Sequence, residues 1–142
     1  MGYINGRVKV LAKTIVPGTT GEATYTEIVG LIPKNSYVLR EFGRVITAFT
    51  GLTKPLVSLG VTGDTDRYMV AQPIDAINEF IFGAPAKSNS AITGVKDFCA
   101  KMDKNKITSS AQPIIATFTS SSTTFDPTAG EVEFVIVYVT CN

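Results

Sequence analysis

The segment Gly63-Asp-Thr-Asp66 is the first place in this chain where residue types and spacing could do chemistry. Carboxylates at i and i+2 beside a glycine could contribute to a calcium site, but that ion takes six to eight oxygen ligands and the rest of such a loop is missing. Asp64 and Asp66 are therefore read first as a tight hairpin turn, where Asp tolerates unusual backbone angles, and only second as calcium ligands. Twelve acidic residues leave room for a glycosidase-type carboxylate pair. Most of them, however, fall in turns or alternate with strand apolars, as Glu131 and Glu133 do, which is the pattern of solvated acids. The chain has no histidine, so a Ser-His-Asp triad, a Cys-His dyad and a His-rich zinc site are all excluded. It has no tryptophan to stack on a sugar, and Tyr3, Tyr25, Tyr37, Tyr68 and Tyr138 are expected at core edges before any lectin-like site. Neither a phosphate loop nor a dinucleotide-binding glycine fingerprint is present. Cys99 and Cys141 are too few for a disulfide scaffold and are read as free thiols. No catalytic residue, no cofactor and no committed metal site emerge, so a binding or structural role is expected in place of an enzyme.

Charge and composition set the class. A formal net charge of +1 argues against nucleic acid as a partner, which normally demands a basic patch. Arg7, Lys9 and Lys13 alternate with Val8, Val10 and Ala12, and are read as the wet face of a half-buried strand. Lys101, Lys104 and Lys106, interleaved with Asp103, read as a solvated turn. The start of the chain lacks the features of a secretory signal, and no apolar run approaches the roughly 18 residues of a membrane span, so a soluble protein with no membrane partner is expected. At 142 residues the chain suits a single domain over 1–142. Its 44% apolar content, 18% charge and enrichment in Thr, Val and Ile favour strands.

Turn signals recur at short intervals and separate apolar stretches of strand length. Strands are expected at about Gly6–Thr14, Ala23–Leu31, Tyr37–Thr50, Leu56–Val61 and Arg67–Ala71, with Gly43 marking a β-bulge in the third. Asp75 is expected to cap a short helix running through Glu79 to Phe82, with Phe80-Ile-Phe82 as a strand the alternative. Gly83–Gly94 reads as the longest loop, followed by strands at Val95–Ala100, Lys106–Ser110 and Gln112–Thr119. Ser120–Thr124 is a polar loop, and Asp126–Gly130 is a turn. Eight to ten strands at this spacing predict an all-β fold, an antiparallel sandwich or jelly roll with at most one short helix.

The last stretch, Gly130–Asn142, predicts a strand that is apolar on both faces after Glu133. Side chains alternate across a sheet, so Phe134, Ile136 and Tyr138 point one way and Val135, Val137 and Val139 the other. A second sheet can cover one face; the other requires a central position, a helix or a neighbouring subunit. These six residues are the expected interface set, divided between core and subunit contact. Met1 and Tyr3 join them in a contacting arm over residues 1–5.

Ile32-Pro-Lys-Asn-Ser-Tyr-Val38, Val45-Ile-Thr-Ala-Phe49, Leu56-Val-Ser-Leu-Gly60 and Gly63-Asp-Thr-Asp-Arg-Tyr68, continued by Ile114–Phe118 and Thr128–Val132, resemble small virion proteins of tailed bacteriophages. The resemblance covers roughly the last four-fifths of the chain and brings no catalytic residues with it. It implies a β-sandwich subunit of the phage particle. The first expectation is a capsid decoration protein that self-associates, as a trimer, and docks on the major capsid protein. The alternative is a head-fibre or tail adhesin domain that binds a host surface glycan.

Overall fold

A computed structural model of the chain describes residues 4–83 and 110–141. Eight strands lie within them: β1 (Ile4–Ile15), β2 (Tyr25–Ile32), β3 (Ser36–Thr50), β4 (Leu56–Val61), β5 (Asp64–Pro73), β6 (Glu79–Gly83), β7 (Gln112–Thr119) and β8 (Ala129–Cys141). They form two four-stranded antiparallel sheets, ordered β1-β8-β3-β6 and β2-β7-β4-β5. Among the described strands, each is followed by one in the other sheet except at the β4–β5 hairpin. Opposite sides of the sandwich therefore carry β1, β8, β3, β6 and β2, β7, β4, β5, which is the winding of a jelly roll. The all-β sandwich expected from strand spacing is what the chain adopts.

Period-two patterning explains how the sheets close on each other. Along β8, Val132, Phe134, Ile136 and Tyr138 are buried between the sheets. Opposite them, β2, β4 and β7 contribute Val29, Val57, Leu59, Ile114, Ala116 and Phe118. Full burial of each large apolar side chain stabilises the sandwich by about 1.5–3 kcal/mol. The centre is aromatic: the Phe118 ring lies 5.6 Å from Phe125, 5.8 Å from Phe49 and 5.8 Å, edge-on, from Tyr25.

Loops at one end of the sandwich are tied together by hydrogen bonds. Asp126 Oδ1 accepts from the amides of Thr20 (2.9 Å) and Gly21 (3.0 Å), which joins the β1–β2 loop to the β7–β8 loop. The Gly21 N–H, with smaller help from Thr124 and Thr20, holds the Asp126 carboxyl below the usual carboxylate range. The β3–β4 turn is stitched to the same loop by Ser121 N–H to Thr53 O (2.8 Å) and Thr53 N–H to Ser122 Oγ (2.9 Å).

Four expectations are corrected. Residues Glu79–Gly83 are strand β6, not a helix, because pairing to β3 in the register Arg44↔Glu79 to Arg40↔Gly83 supplies the backbone partners. Gly43 is not a bulge; it pairs regularly with Phe134 and Phe80, and the register shifts of β3 fall at Val38/Arg40, Val45/Thr47 and Thr47/Thr50. The hairpin loop is Thr62 and Gly63 alone, with φ 85° at the glycine, so Asp64 and Asp66 belong to β5. The faces of β1 are the reverse of those expected: Val8 and Val10 are 61% and 59% exposed, while Leu11 and Ile15 pack inward. Of the proposed arm, Ile4 and Asn5 are part of β1, and Ile4 pairs with Cys141. Met1, Tyr3, Cys99, the 101–106 lysine cluster and the strands expected at 95–100 and 106–109 lie outside the described residues.

Candidate functional site

The terminal strand occupies a central position, between β1 and β3, and this arranges its neighbours into rows. On the outer face of the sheet, register places Val8, Val139 and Tyr37 in one row and Val10, Val137 and Arg40 in the next. Ala12, Val135 and Phe42 follow, then Thr14, Glu133 and Arg44. Cross-strand neighbours on one face touch directly, so these rows make one continuous surface. Tyr37 and Val139 are buried. Val135, Val137 and Phe42 are half-buried, and Val8, Val10 and Ala12 are exposed.

Polar groups border this apolar field. Arg44 Nη2 meets Glu133 Oε1 at 3.4 Å across the last row, an exposed pair of little energetic weight. Arg40 stands exposed beside Val137. A contiguous apolar face rimmed by charge is the pattern of a surface that another molecule covers.

The six expected interface residues divide as their alternation required. Phe134, Ile136 and Tyr138 face the second sheet and lie in the core. Val135, Val137 and Val139 lie on the outer face, in successive rows with Ala12, Val10 and Val8.

The opposite side of the sandwich carries a second apolar field that sequence reasoning missed. Ile28 and Leu31 of β2 are 54% and 58% exposed, in register with Ile115 and Pro113 of β7. The bulge between Ile28 and Gly30 puts both on the outside, with Val29 turned inward. The signal in the sequence was only a run of apolar residues, Ile28-Val29-Gly30-Leu31-Ile32, with no alternation to assign a face.

Lys13, on the inner side of β1, reaches the sandwich margin. Its Nζ donates to Ile28 O at 2.9 Å and lies 3.1 Å from Glu27 Oε2. Glu27 also accepts from the Tyr25 hydroxyl at 2.7 Å, and that bond, with burial, pushes the phenol up from its ordinary value.

At the tied loop end a half-open groove of about 380 Å³ is lined by Lys54, Leu56, Asp75, Thr119, Ser120 and Ser121, with prolines as walls. Lys54 holds a positive φ of 49° there. The groove carries one cation, one anion and three hydroxyls on a lining that is otherwise apolar. Asp64 and Asp66 lie at the other end of the sandwich, and among the described residues no group of three or more potential ligands could hold a metal ion.

The most unusual side chain is Glu41. It is fully buried, on the inner face of β3, and neither carboxylate oxygen has a hydrogen-bond partner. Burial pushes its pKa up to about 8, against a slight opposing effect of its own backbone N–H, so it is a neutral acid at pH 7. Nothing local points to this, since Arg40-Glu-Phe-Gly-Arg44 reads as a charged stretch.

No family model, no curated protein and no solved structure matches this chain.

Proposed function

We propose that this protein is a structural subunit of a bacteriophage virion, a capsid decoration protein that self-associates through the outer face of β1, β8 and β3 and docks on the major capsid protein. The observation that carries the proposal is that face: Val8 and Val10 are exposed, and Val135, Val137 and Phe42 only half-buried, on a sheet whose other side is already the core. The winding supports it at the level of fold analogy, because jelly rolls are recurrent in viral capsid and lectin domains. The second field around Ile28 and Leu31 supplies a separate surface on the opposite side, so one subunit can touch its own copies and the capsid at once.

Decoration of this kind works without bond making. A stable interface buries roughly 800 Å² per partner, and linking several such contacts around a symmetric ring makes each additional one intramolecular. A trimer is the symmetry we assign, with the capsid lattice as its template.

The test is mutational. Val10→Glu and Val137→Lys place a charge in the contact, where it would be desolvated without a partner. Val10 is already exposed, so its replacement changes folding by no more than about 0.5 kcal/mol. Light scattering should therefore show a folded monomer in place of the assembly, and variants that fail to rebind phage heads stripped of the protein. Unchanged mass for both would sink the proposal.

The loop-end groove favours a second reading, a head-fibre or tail adhesin domain that binds a host glycan with Lys54, Asp75 and the Thr119–Ser121 hydroxyls. In that case the protein is scarce in the particle, and added free it blocks adsorption of phage to cells. Lys54→Ala would then abolish the block.

A further inference from the structure

Glu41 lies second from the end of the β3–β6 ladder, opposite Phe82 of β6 and Ile136 of β8. Its side chain shares the inner face with Gly43 and Val45, both buried. The titratable groups around it come from each neighbouring strand. Tyr68 of β5 faces it across the sandwich, its phenol pushed up by burial, held back by Arg67 and raised further by Glu41 itself, with Asp64 beyond. Arg67 sits 5.9 Å from the Tyr68 ring centre. Tyr138 shares the inner face from β8, and Glu79 of β6 is exposed opposite Arg44. On β3 itself, Arg40 and Arg44 project to the outer face and cannot reach Glu41.

A charged carboxylate in this position needs water, and of the two strands that flank β3 the shorter one is β6. β8 is a central strand of 13 residues, flanked on both sides. β6 has 5 residues and, among the described residues, sits at the sheet edge and pairs with β3 alone. The chain just before it is pinned by Val45 N–H to Asn78 O (2.8 Å) and Phe49 N–H to Ile74 O (2.9 Å), which makes Asn78 the natural pivot.

We propose that deprotonation of Glu41 releases β6 from the edge of β3, so that a proton holds this strand in the sheet. Release uncovers the backbone of Arg40–Arg44, five residues of unpaired edge onto which a strand from another chain can add. That the added strand comes from a neighbouring subunit rests on the assembly reading above; the release itself does not.

The direction follows from linkage. With β6 in place the carboxyl ionises at about 8; once hydrated it returns to about 4.5. The closed sheet is thus favoured at low pH, and the opening constant rises about tenfold per pH unit between those two values.

Residue-level hydrogen exchange at pH 5.5 and 7.5 tests this on wild type and Glu41→Gln side by side, since comparison at one pH cancels the base catalysis of exchange. The opening constant of those amides in 40–44 and 79–83 that bond across the β3–β6 ladder should rise about a hundredfold over that interval in wild type and stay level in the variant, while the β2–β7 amides behave alike in both. An equal rise in both proteins overturns the proposal, as does a rise of the same size across both sheets. Should Glu41→Gln fail to fold, Glu41→Leu takes its place with the same outcomes. A carboxyl carbon resonance of wild-type Glu41 that titrates at the ordinary value also overturns it.

Discussion

Replacing Gly130 with alanine should cost this protein far more than a single methyl normally does. Gly130 is the second residue of β8, with φ +155°, and a Cβ built there would lie 2.4 Å from Phe49 Cδ2, 2.6 Å from Cγ and 2.7 Å from Cε2. The register shift between Thr47 and Thr50 of β3 is what lays the ring across the glycine. Ordinary contact would require the ring to retreat by about 1 Å, but it is wedged against Phe118 at 5.8 Å and Phe125 at 6.2 Å. Overpacking of this kind costs roughly 1–3 kcal/mol, and the backbone angle adds about 1 kcal/mol more for a residue with a side chain. The expected loss is about 3 kcal/mol. Urea unfolding should show it as a midpoint lowered by about 1–2 M, with the slope unchanged. The ring can be tested as the obstacle directly. Phe49→Leu alone should cost under about 2 kcal/mol, and in the double variant the overpacking term disappears, so the two losses fall short of additivity by at least about 1 kcal/mol. Additivity within about 0.5 kcal/mol, or a Gly130→Ala loss below that figure, would refute the reasoning.

Other expectations are simpler. Phe118→Ala removes the ring that three other aromatics touch, and should destabilise by about 3–5 kcal/mol in the same urea assay. Asp126 has a depressed pKa in the folded chain, so its contribution is present above the unfolded value and is lost as pH falls through the folded one. Asp126→Asn should accordingly flatten the acid limb of a stability–pH curve and leave neutral pH nearly unchanged in slope. Lys13→Met keeps the apolar stem while removing the exposed ion pair to Glu27, and should shift stability by less than about 1 kcal/mol by thermal melting.

The parts of the fold legible in the sequence are those where local chemistry decides. β7 runs from Gln112 to Thr119 as expected, because the polar Ser120–Thr124 loop closes it and β-branched residues fill the middle. β8 was legible for the same reason, down to which residues share a face. The misreadings occur where a remote strand decides. Arg7-Val8-Lys9-Val10 alternates cleanly, and nothing local says which set turns inward. Pairing with β8 settles it, and at an edge strand the inward lysine can still reach solvent or, as Lys13 does, the carbonyl of a facing strand. Asn78-Glu-Phe-Ile-Phe-Gly83 is short enough to serve as helix or strand, and only the free edge of β3 makes it a strand. Of the candidate surface, the Val135–Val139 side was visible from alternation, whereas Val8, Val10, Ile28 and Leu31 required the register.

The pairing of β1 with β8 has a consequence for synthesis. Ile15 meets Val132 and Val8 meets Val139, so β1, made more than a hundred residues before β8, waits for it before it has a neighbour in its sheet among the described strands. Until residues 129–141 emerge, β1 and β3 have an empty lane between them, and their greasy inward sides stand uncovered. Contacts this distant along the chain make for slow folding, and the nascent chain offers two unfilled strand edges to any bystander. Holdase chaperones should therefore bind this protein during translation, and a circular permutant that joins β8 directly to β1 by a short linker should fold measurably faster than the native order.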